Sequence, residues 1–149
     1  IQFALQGGII DLTCGMTGSA IPVPQAVKQA LDAGVPLERL TLSSDGNGSM
    51  PKFNENNELI GLTAAAPRYL YEEMLSIVKA GVLPFDKALQ LIPCNVADAL
   101  KLEDKGRIAV GKDADLIVWN DDLTLNKVFA RGRLMVDEGQ AVVKGTFEN

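Results

Sequence analysis

The sequence LTLSSDGNGS occupies residues 40–49 and decides which fold the chain can adopt. Its first five residues predict a short strand, and its last five are turn formers. An earlier run at residues 8–13 predicts another strand, and residues 24–33 carry apolar side chains at helical spacing between the two. Because a helix that joins neighbouring strands makes them parallel, we expect a parallel α/β crossover.

The sequence that follows this crossover predicts a loop and then helices. Residues 51–61 are polar and predict an exposed loop, with a small hairpin around Asn56-Asn57. Residues 67–80 place apolar side chains on one helical stripe, and residues 86–91 predict another helix. Asn95 is expected to cap the start of a last short helix.

Beyond about residue 103 the pattern changes to short apolar runs separated by Gly and Asp turns. Arg131-Gly132-Arg133 and residues 137–140 are typical of hairpin connections, so antiparallel strands are expected there. The sequence therefore predicts an α/β part over residues 1–103 and a β part over residues 104–149.

Composition bounds the function. The chain has 149 residues, of which 47% are hydrophobic, and its formal net charge is -5. An excess of acidic residues disfavours nucleic acid and anionic membranes as partners. No apolar run reaches the length of a membrane span.

Histidine is absent, which excludes histidine-based metal sites and Ser-His or Cys-His nucleophile pairs built by this chain alone. Cys14 and Cys94 lie far apart, without the spacing of a zinc knuckle or a disulfide framework. This cysteine usage indicates a cytoplasmic protein.

Asp45 is the principal candidate for chemistry. In parallel α/β folds, side chains at the carboxyl ends of strands point into the active-site mouth. A carboxylate there can ligate a divalent metal and accept a proton from water. The alternative is that Asp45-Gly46 and Asn47-Gly48 are ordinary turns, which these pairs form in many loops.

Four other features have a structural alternative that we favour. Asp11 can reach the same mouth but is expected to make a strand-end hydrogen bond, and Cys14 is expected to be a buried, inert thiol. Residues 68–71 can offer basic and aromatic groups to a substrate, and residues 112–115 can suggest a cation site. Helical spacing and turn chemistry explain both more simply.

Several segments carry a resemblance to a known family. Residues 106–118, with the motif VGKDADLIV, resemble the C-terminal signature of the metal-dependent amidohydrolase superfamily. Residues 94–100 resemble its Asn-Pro-Ala helix start, with Val96 where proline is usual. Within that superfamily the chain is similar to the isoaspartyl dipeptidase family, through segments that include LSSDGNGS at residues 42–49 and VKGTFE at residues 143–148.

The resemblance implies a fold and a set of roles. Residues 1–103 would be the last strands and helices of a metal-dependent (β/α)8 TIM barrel, and residues 104–149 would be strands of a small β-sandwich domain. Asp45 would bind one metal of a two-zinc centre and act as the catalytic general base, and Ser49 would bind the dipeptide substrate. The family's histidines and bridging lysine would all lie upstream of this sequence.

The resemblance therefore implies the C-terminal fragment of a zinc-dependent isoaspartyl dipeptidase, inactive by itself. Its substrate would be a β-aspartyl dipeptide, and the complete enzyme would be a homo-oligomer, an octamer in this family. Two alternatives stay open: another amidohydrolase, such as a D-aminoacylase or a dihydroorotase-like enzyme, and a short non-catalytic interaction module.

Overall fold

The computed structural model describes residues 1–16 and 21–145, so the last three residues of the VKGTFE segment lie outside the described part. The chain divides into two compact units, Ile1–Lys101 and Leu102–Asn149. None of the helices within the described ranges is long and apolar enough to cross a membrane.

The first unit is a mixed α/β structure built on two parallel strands. Its elements, in chain order, are α1 (Gln2–Leu5), β1 (Ile10–Thr13), α2 (Val23–Asp32), β2 (Leu40–Ser43), β3 (Ser49–Phe53), β4 (Leu59–Ala64), α3 (Tyr69–Lys79), α4 (Phe85–Gln90) and α5 (Cys94–Leu100). Strands β1 and β2 pair in parallel, from Ile10 opposite Leu40 to Thr13 opposite Ser43. The predicted strand–helix–strand crossover is confirmed.

The core of this unit lies on one face of the parallel pair. Leu40 and Leu42 of β2 are buried, and the helices cover them with apolar side chains. The fully buried helical or loop residues in this cluster are Cys14, Val27, Met74, Ile77, Ala88 and Leu91. Packing of this kind fixes β2 because burial of each large apolar side chain contributes about 1.5–3 kcal/mol.

Asn95 does not cap a helix, so that prediction is wrong. Helix α5 begins one residue earlier, at Cys94, after Pro93. The Asn95 side chain is buried, and its Nδ2 donates hydrogen bonds to the carbonyl oxygens of Leu37 and Leu40, each at 2.8 Å. It satisfies the backbone where β2 begins, which a local sequence pattern does not reveal because the partners are more than fifty residues away.

We expect Asn95→Leu to lower the free energy of unfolding by about 2–4 kcal/mol, because two buried carbonyl acceptors lose their donor. Urea unfolding followed by circular dichroism measures the change. Asn56→Leu, on the exposed turn between β3 and β4, is the matched control and should shift the value by no more than about 0.5 kcal/mol. Equal stability of Asn95→Leu and the wild type would contradict this role.

The segment predicted as an exposed loop at residues 51–61 is largely a β-hairpin. Strands β3 and β4 pair antiparallel, from Ser49 opposite Ala64 to Phe53 opposite Leu59. The small hairpin turn around Asn56-Asn57 is confirmed, whereas the loop prediction for the flanking residues is wrong. β4 is exposed along its whole length, so the hairpin lacks the half-buried alternation by which a strand is recognised.

The second unit contains a four-stranded antiparallel sheet in the order β5 (Leu116–Trp119), β6 (Leu125–Ala130), β7 (Arg133–Asp137) and β8 (Gln140–Ala141). The predicted antiparallel strands are confirmed. Both predicted hairpin connections are tight turns with two residues at positive φ, Arg131-Gly132 and Glu138-Gly139. That geometry matches the twist of paired strands.

Candidate active site at the end of strand β2

Asp45 lies two residues beyond the last residue of β2, at the carboxyl end of the parallel pair. It is exposed and has a φ of 47°, in the left-handed region. The Gly48 amide donates to the Asp45 carbonyl oxygen at 2.7 Å, and a Cβ on Gly48 would lie only 2.8 Å from that oxygen. The turn that presents Asp45 is therefore closed too tightly for any residue but glycine at position 48.

The residues after Asp45 are anchored to the hairpin. The Asn47 amide donates to the Ala65 carbonyl oxygen at 2.9 Å, and the Ala65 amide donates to the Gly48 carbonyl oxygen at 2.8 Å. These bonds continue the β3–β4 ladder, whose first pair is Ser49 opposite Ala64. Asp45 and the exposed Ser49 thus belong to one hydrogen-bonded segment, and their roles remain predictions.

A second carboxylate, Asp11, sits on β1 beside this strand end. Its Oδ1 accepts from the Thr41 hydroxyl at 2.7 Å, and its Oδ2 accepts from the Ser43 hydroxyl at 2.5 Å. The expected strand hydrogen bond of Asp11 is present, and its two donors, the hydroxyls on β2, were not predicted. Their signal is the alternation Thr41-x-Ser43, which places both hydroxyls on one face of a strand.

The thiol of Cys14 is buried below this edge, as expected from the sequence. Burial above all, together with the nearby charges of Glu73, Asp11 and Asp45, raises the pKa of Cys14 to about 12. A thiol with such a pKa stays protonated near neutral pH and is a poor nucleophile and metal ligand.

The aromatic and basic residues at the start of α3 make structural contacts. The Tyr69 ring packs against Gly15, where a Cβ would lie 2.3 Å from the ring and where φ is +76°. The Arg68 guanidinium lies over the same ring, 5.5 Å from its centroid, and its Nε is 3.2 Å from Oε1 of Glu72. These contacts support the structural interpretation of the segment.

In the second unit, the acidic pair of the KDAD segment holds a lysine. Nζ of Lys105 lies 2.7 Å from Oδ2 of Asp113 and 2.5 Å from Oδ2 of Asp115. The Arg131 amide also donates to Oδ1 of Asp115 at 2.7 Å. The hydrogen bond from Lys105 is the main cause that lowers the pKa of Asp115. Asp113 and Asp115 therefore form ion pairs with Lys105 that hold a turn in place.

A metal site requires more ligands than the described residues bring together. Within residues 1–16 and 21–145, no group of three or more His, Cys, Asp or Glu side chains could hold a metal ion. Each Asp11 oxygen accepts a hydroxyl, and the metal-ligand role of Asp45 stays a prediction. The residues described here do not form a complete metal centre.

Comparisons with known proteins agree with this architecture. The chain is similar to the crystal structure of a beta-aspartyl dipeptidase from Fervidobacterium islandicum AW-1 in complex with beta-Asp-Leu dipeptide, with a TM-score of 0.78 and 31% identity. The match covers 97% of this chain and 38% of that one. The predicted resemblance to this group of enzymes is confirmed.

Curated relatives share a shorter stretch. An imidazolonepropionase of Anaeromyxobacter sp. (strain K) is 33% identical over 112 residues, which cover 75% of this chain and 22% of the relative. An adenine deaminase of Carboxydothermus hydrogenoformans is 27% identical over 104 residues, 68% of this chain and 17% of the relative. The chain thus spans less than a quarter of the length of either.

The sequence profile of the Amidohydrolase family matches residues 22–138, which include β2, the segment after it and the sheet of the second unit. This match extends over more than half of the chain. The chain therefore belongs to the amidohydrolase family.

Proposed function

We propose that this chain is the C-terminal part of a zinc-dependent β-aspartyl dipeptidase, which hydrolyses the isopeptide bond of β-aspartyl dipeptides. The observation that carries the proposal is the position of Asp45. It follows the carboxyl end of a parallel strand and shares a hydrogen-bonded segment with Ser49. The similarity to a dipeptidase solved with beta-Asp-Leu, over 97% of the chain, supports the substrate class.

In this proposal Asp45 accepts the proton of the water that attacks the scissile carbonyl and returns it to the leaving amine. An exposed carboxylate at the mouth of a barrel is suited to this work because it can reach both atoms in turn. Ser49, four residues on, contributes a hydroxyl that binds the dipeptide. The Gly48 turn between them keeps the spacing fixed.

Zinc enters the proposal through the complete enzyme. The Asp45 carboxylate supplies one ligand, and the remaining ligands come from the part of the enzyme that precedes these residues. A catalytic zinc fills about four positions, so a single carboxylate does not retain it. The 149-residue chain alone is accordingly proposed to be inactive.

The proposal also extends to the architecture. β1 and β2 would be the last two strands of a (β/α)8 barrel within residues 1–103, and residues 104–149 would complete a small β-sandwich domain. The complete enzyme would be a cytoplasmic homo-oligomer. Three large apolar residues are exposed on β4, namely Leu59, Ile60 and Leu62. Their exposure supports a complete enzyme in which other parts of the protein cover this strand.

The test is a substrate comparison with the complete enzyme that contains this chain. We expect release of aspartate and leucine from β-Asp-Leu, no release from α-Asp-Leu, and loss of activity on chelation that zinc restores. Imidazolonepropionate and adenine serve as comparison substrates, because the curated relatives carry those activities in their names. Turnover of imidazolonepropionate or adenine without hydrolysis of β-Asp-Leu would overturn the proposal in favour of another amidohydrolase.

A further inference from the structure

We propose that Asp11 is a positioning residue that holds the carboxyl end of β2, and with it the turn that presents Asp45. The inference rests on the proposed function for its kinetic consequences. It starts from one juxtaposition: a single carboxylate on β1 accepts the hydroxyls of both Thr41 and Ser43 on β2.

The geometry of the strand pair explains why this carboxylate bridges two residues. Asp11 stands opposite Thr41 in the parallel register, and Ser43 is the next β2 residue on the same face. Oδ1 accepts the Thr41 hydroxyl and Oδ2 accepts the Ser43 hydroxyl, so the carboxylate bridges residues 41–43 at the end of the strand. A carboxyl group has two oxygens, so one side chain can bind both hydroxyls at once.

This bridge acts where the backbone leaves the sheet. Ser43 is the last residue of β2, and its carbonyl oxygen accepts from the Cys14 amide at 2.7 Å, the final bond of the parallel ladder. Two residues later Asp45 adopts a φ of 47°, a conformation uncommon outside glycine. Aspartate enters this region more easily than most other residues, and the contacts on either side of Asp45 decide whether it keeps the orientation.

Two separate anchors provide these contacts. On one side, Asp11 and the Cys14 amide fix Ser43; on the other, the pairing of Asn47 and Gly48 with Ala65 fixes the far end of the turn. Asp45 lies between the two. Loss of the Asp11 contact would leave Ser43 held on this side only by the Cys14 amide, so the carboxylate of Asp45 would sample orientations away from the reacting atoms.

The division of labour between the two acids follows from their partners. Asp11 has both oxygens engaged by hydroxyls, whereas within residues 1–16 and 21–145 the Asp45 carboxylate accepts no side-chain hydrogen bond. Asp45 is therefore available to substrate and water, and Asp11 acts through Ser43. Misplacement of a reacting group by about 1 Å can cost about 10²-fold in rate, so the indirect role is measurable.

The experiment compares four variants of the complete enzyme with β-Asp-Leu as substrate. Asp11→Ala and Ser43→Ala remove the side-chain hydrogen bond that holds Ser43, and they should lower kcat by about 10- to 100-fold with KM little changed. Thr41→Val removes only the more distant hydroxyl, and Asp11→Asn keeps an acceptor and a donor of the same shape. Both should stay within about threefold of wild-type kcat, since the Ser43 contact survives.

Hydrogen–deuterium exchange of residues 43–49 is the second readout and needs no activity. Asp11→Ala should speed exchange in this segment and leave α3 unchanged, while Thr41→Val should leave both unchanged. The role is overturned by wild-type kcat and exchange in Asp11→Ala. It is likewise overturned if kcat falls as far in Asp11→Asn as in Asp11→Ala, because the effect would then come from the charge. The same holds if kcat falls as far in Thr41→Val as in Ser43→Ala, because the effect would then come from strand stability.

Failure of the proposed function gives a different pattern. A wild-type enzyme that does not cleave β-Asp-Leu removes the dipeptidase assignment. The exchange measurement still supports the role of Asp11 if Asp11→Ala and Ser43→Ala, but not Thr41→Val, speed exchange in residues 43–49, and it overturns the role if no difference appears.

Discussion

Replacement of Asp45 by Asn is expected to lower kcat of the complete enzyme by about 10²- to 10⁴-fold, the range typical of general-base loss. The amide cannot accept the proton of the attacking water and brings no charge to a metal. The backbone should tolerate the change, because Asn adopts left-handed conformations readily and the Asp45 carbonyl still receives the Gly48 amide.

Steady-state kinetics with β-Asp-Leu, together with circular dichroism of the purified variant, measures this effect. Asp86→Asn makes the same chemical change at an exposed position in the first turn of α4 and should retain wild-type kcat. An Asp45→Asn enzyme with near-normal turnover would remove Asp45 from the mechanism, whatever the substrate proves to be.

The 149-residue polypeptide by itself should show no hydrolysis of β-Asp-Leu above a buffer blank, with or without added zinc. The chain has no histidine, and its described residues offer no cluster of three ligands. Removal of a single catalytic residue usually leaves some activity, but this polypeptide lacks most of the metal ligands, so we expect the loss of activity to be complete.

Chromatographic detection of released aspartate provides the measurement, and calorimetric titration with zinc provides a second. The complete enzyme under identical conditions is the positive control. Turnover by the polypeptide, or tight and saturable zinc binding to it, would show that these residues form a centre that their geometry does not suggest.

Much of the fold follows from local sequence signals. Pro24 near the start and Gly34 just past the end delimit α2, and the short run at residues 40–42, buried at every position, marks β2. The two tight turns of the second unit need residues at positive φ, and their glycines announce them. These features depend on a few neighbouring residues, so pattern analysis finds them.

The errors arise where a side chain serves a distant partner. Asn95 has the residue type of a helix cap, yet it contacts carbonyl groups at Leu37 and Leu40. Nothing next to Asn95 in the sequence indicates that choice. Only the packing of α5 near the start of β2 determines it, and packing is a property of the folded chain.

The candidate site divides in the same way. The placement of Asp45 at the carboxyl end of a strand could be predicted, because the order strand, turn, polar residue is local. The bridge from Asp11 to Thr41 and Ser43 could not, because it depends on the parallel register of two strands thirty residues apart. The roles of Asp45 and Ser49 came from a family resemblance and stay predictions.

The turn that joins β3 and β4 is stabilised almost entirely from within. Oδ1 of Asn54 accepts the amides of Asn56 and Glu58, and the Asn54 amide donates to the Glu58 carbonyl oxygen. The paired strands separate this tip from Asp45 and Ser49. Insertions or deletions at the tip should therefore leave the spacing of those two residues intact, which makes it a suitable place to graft a reporter peptide or an affinity tag.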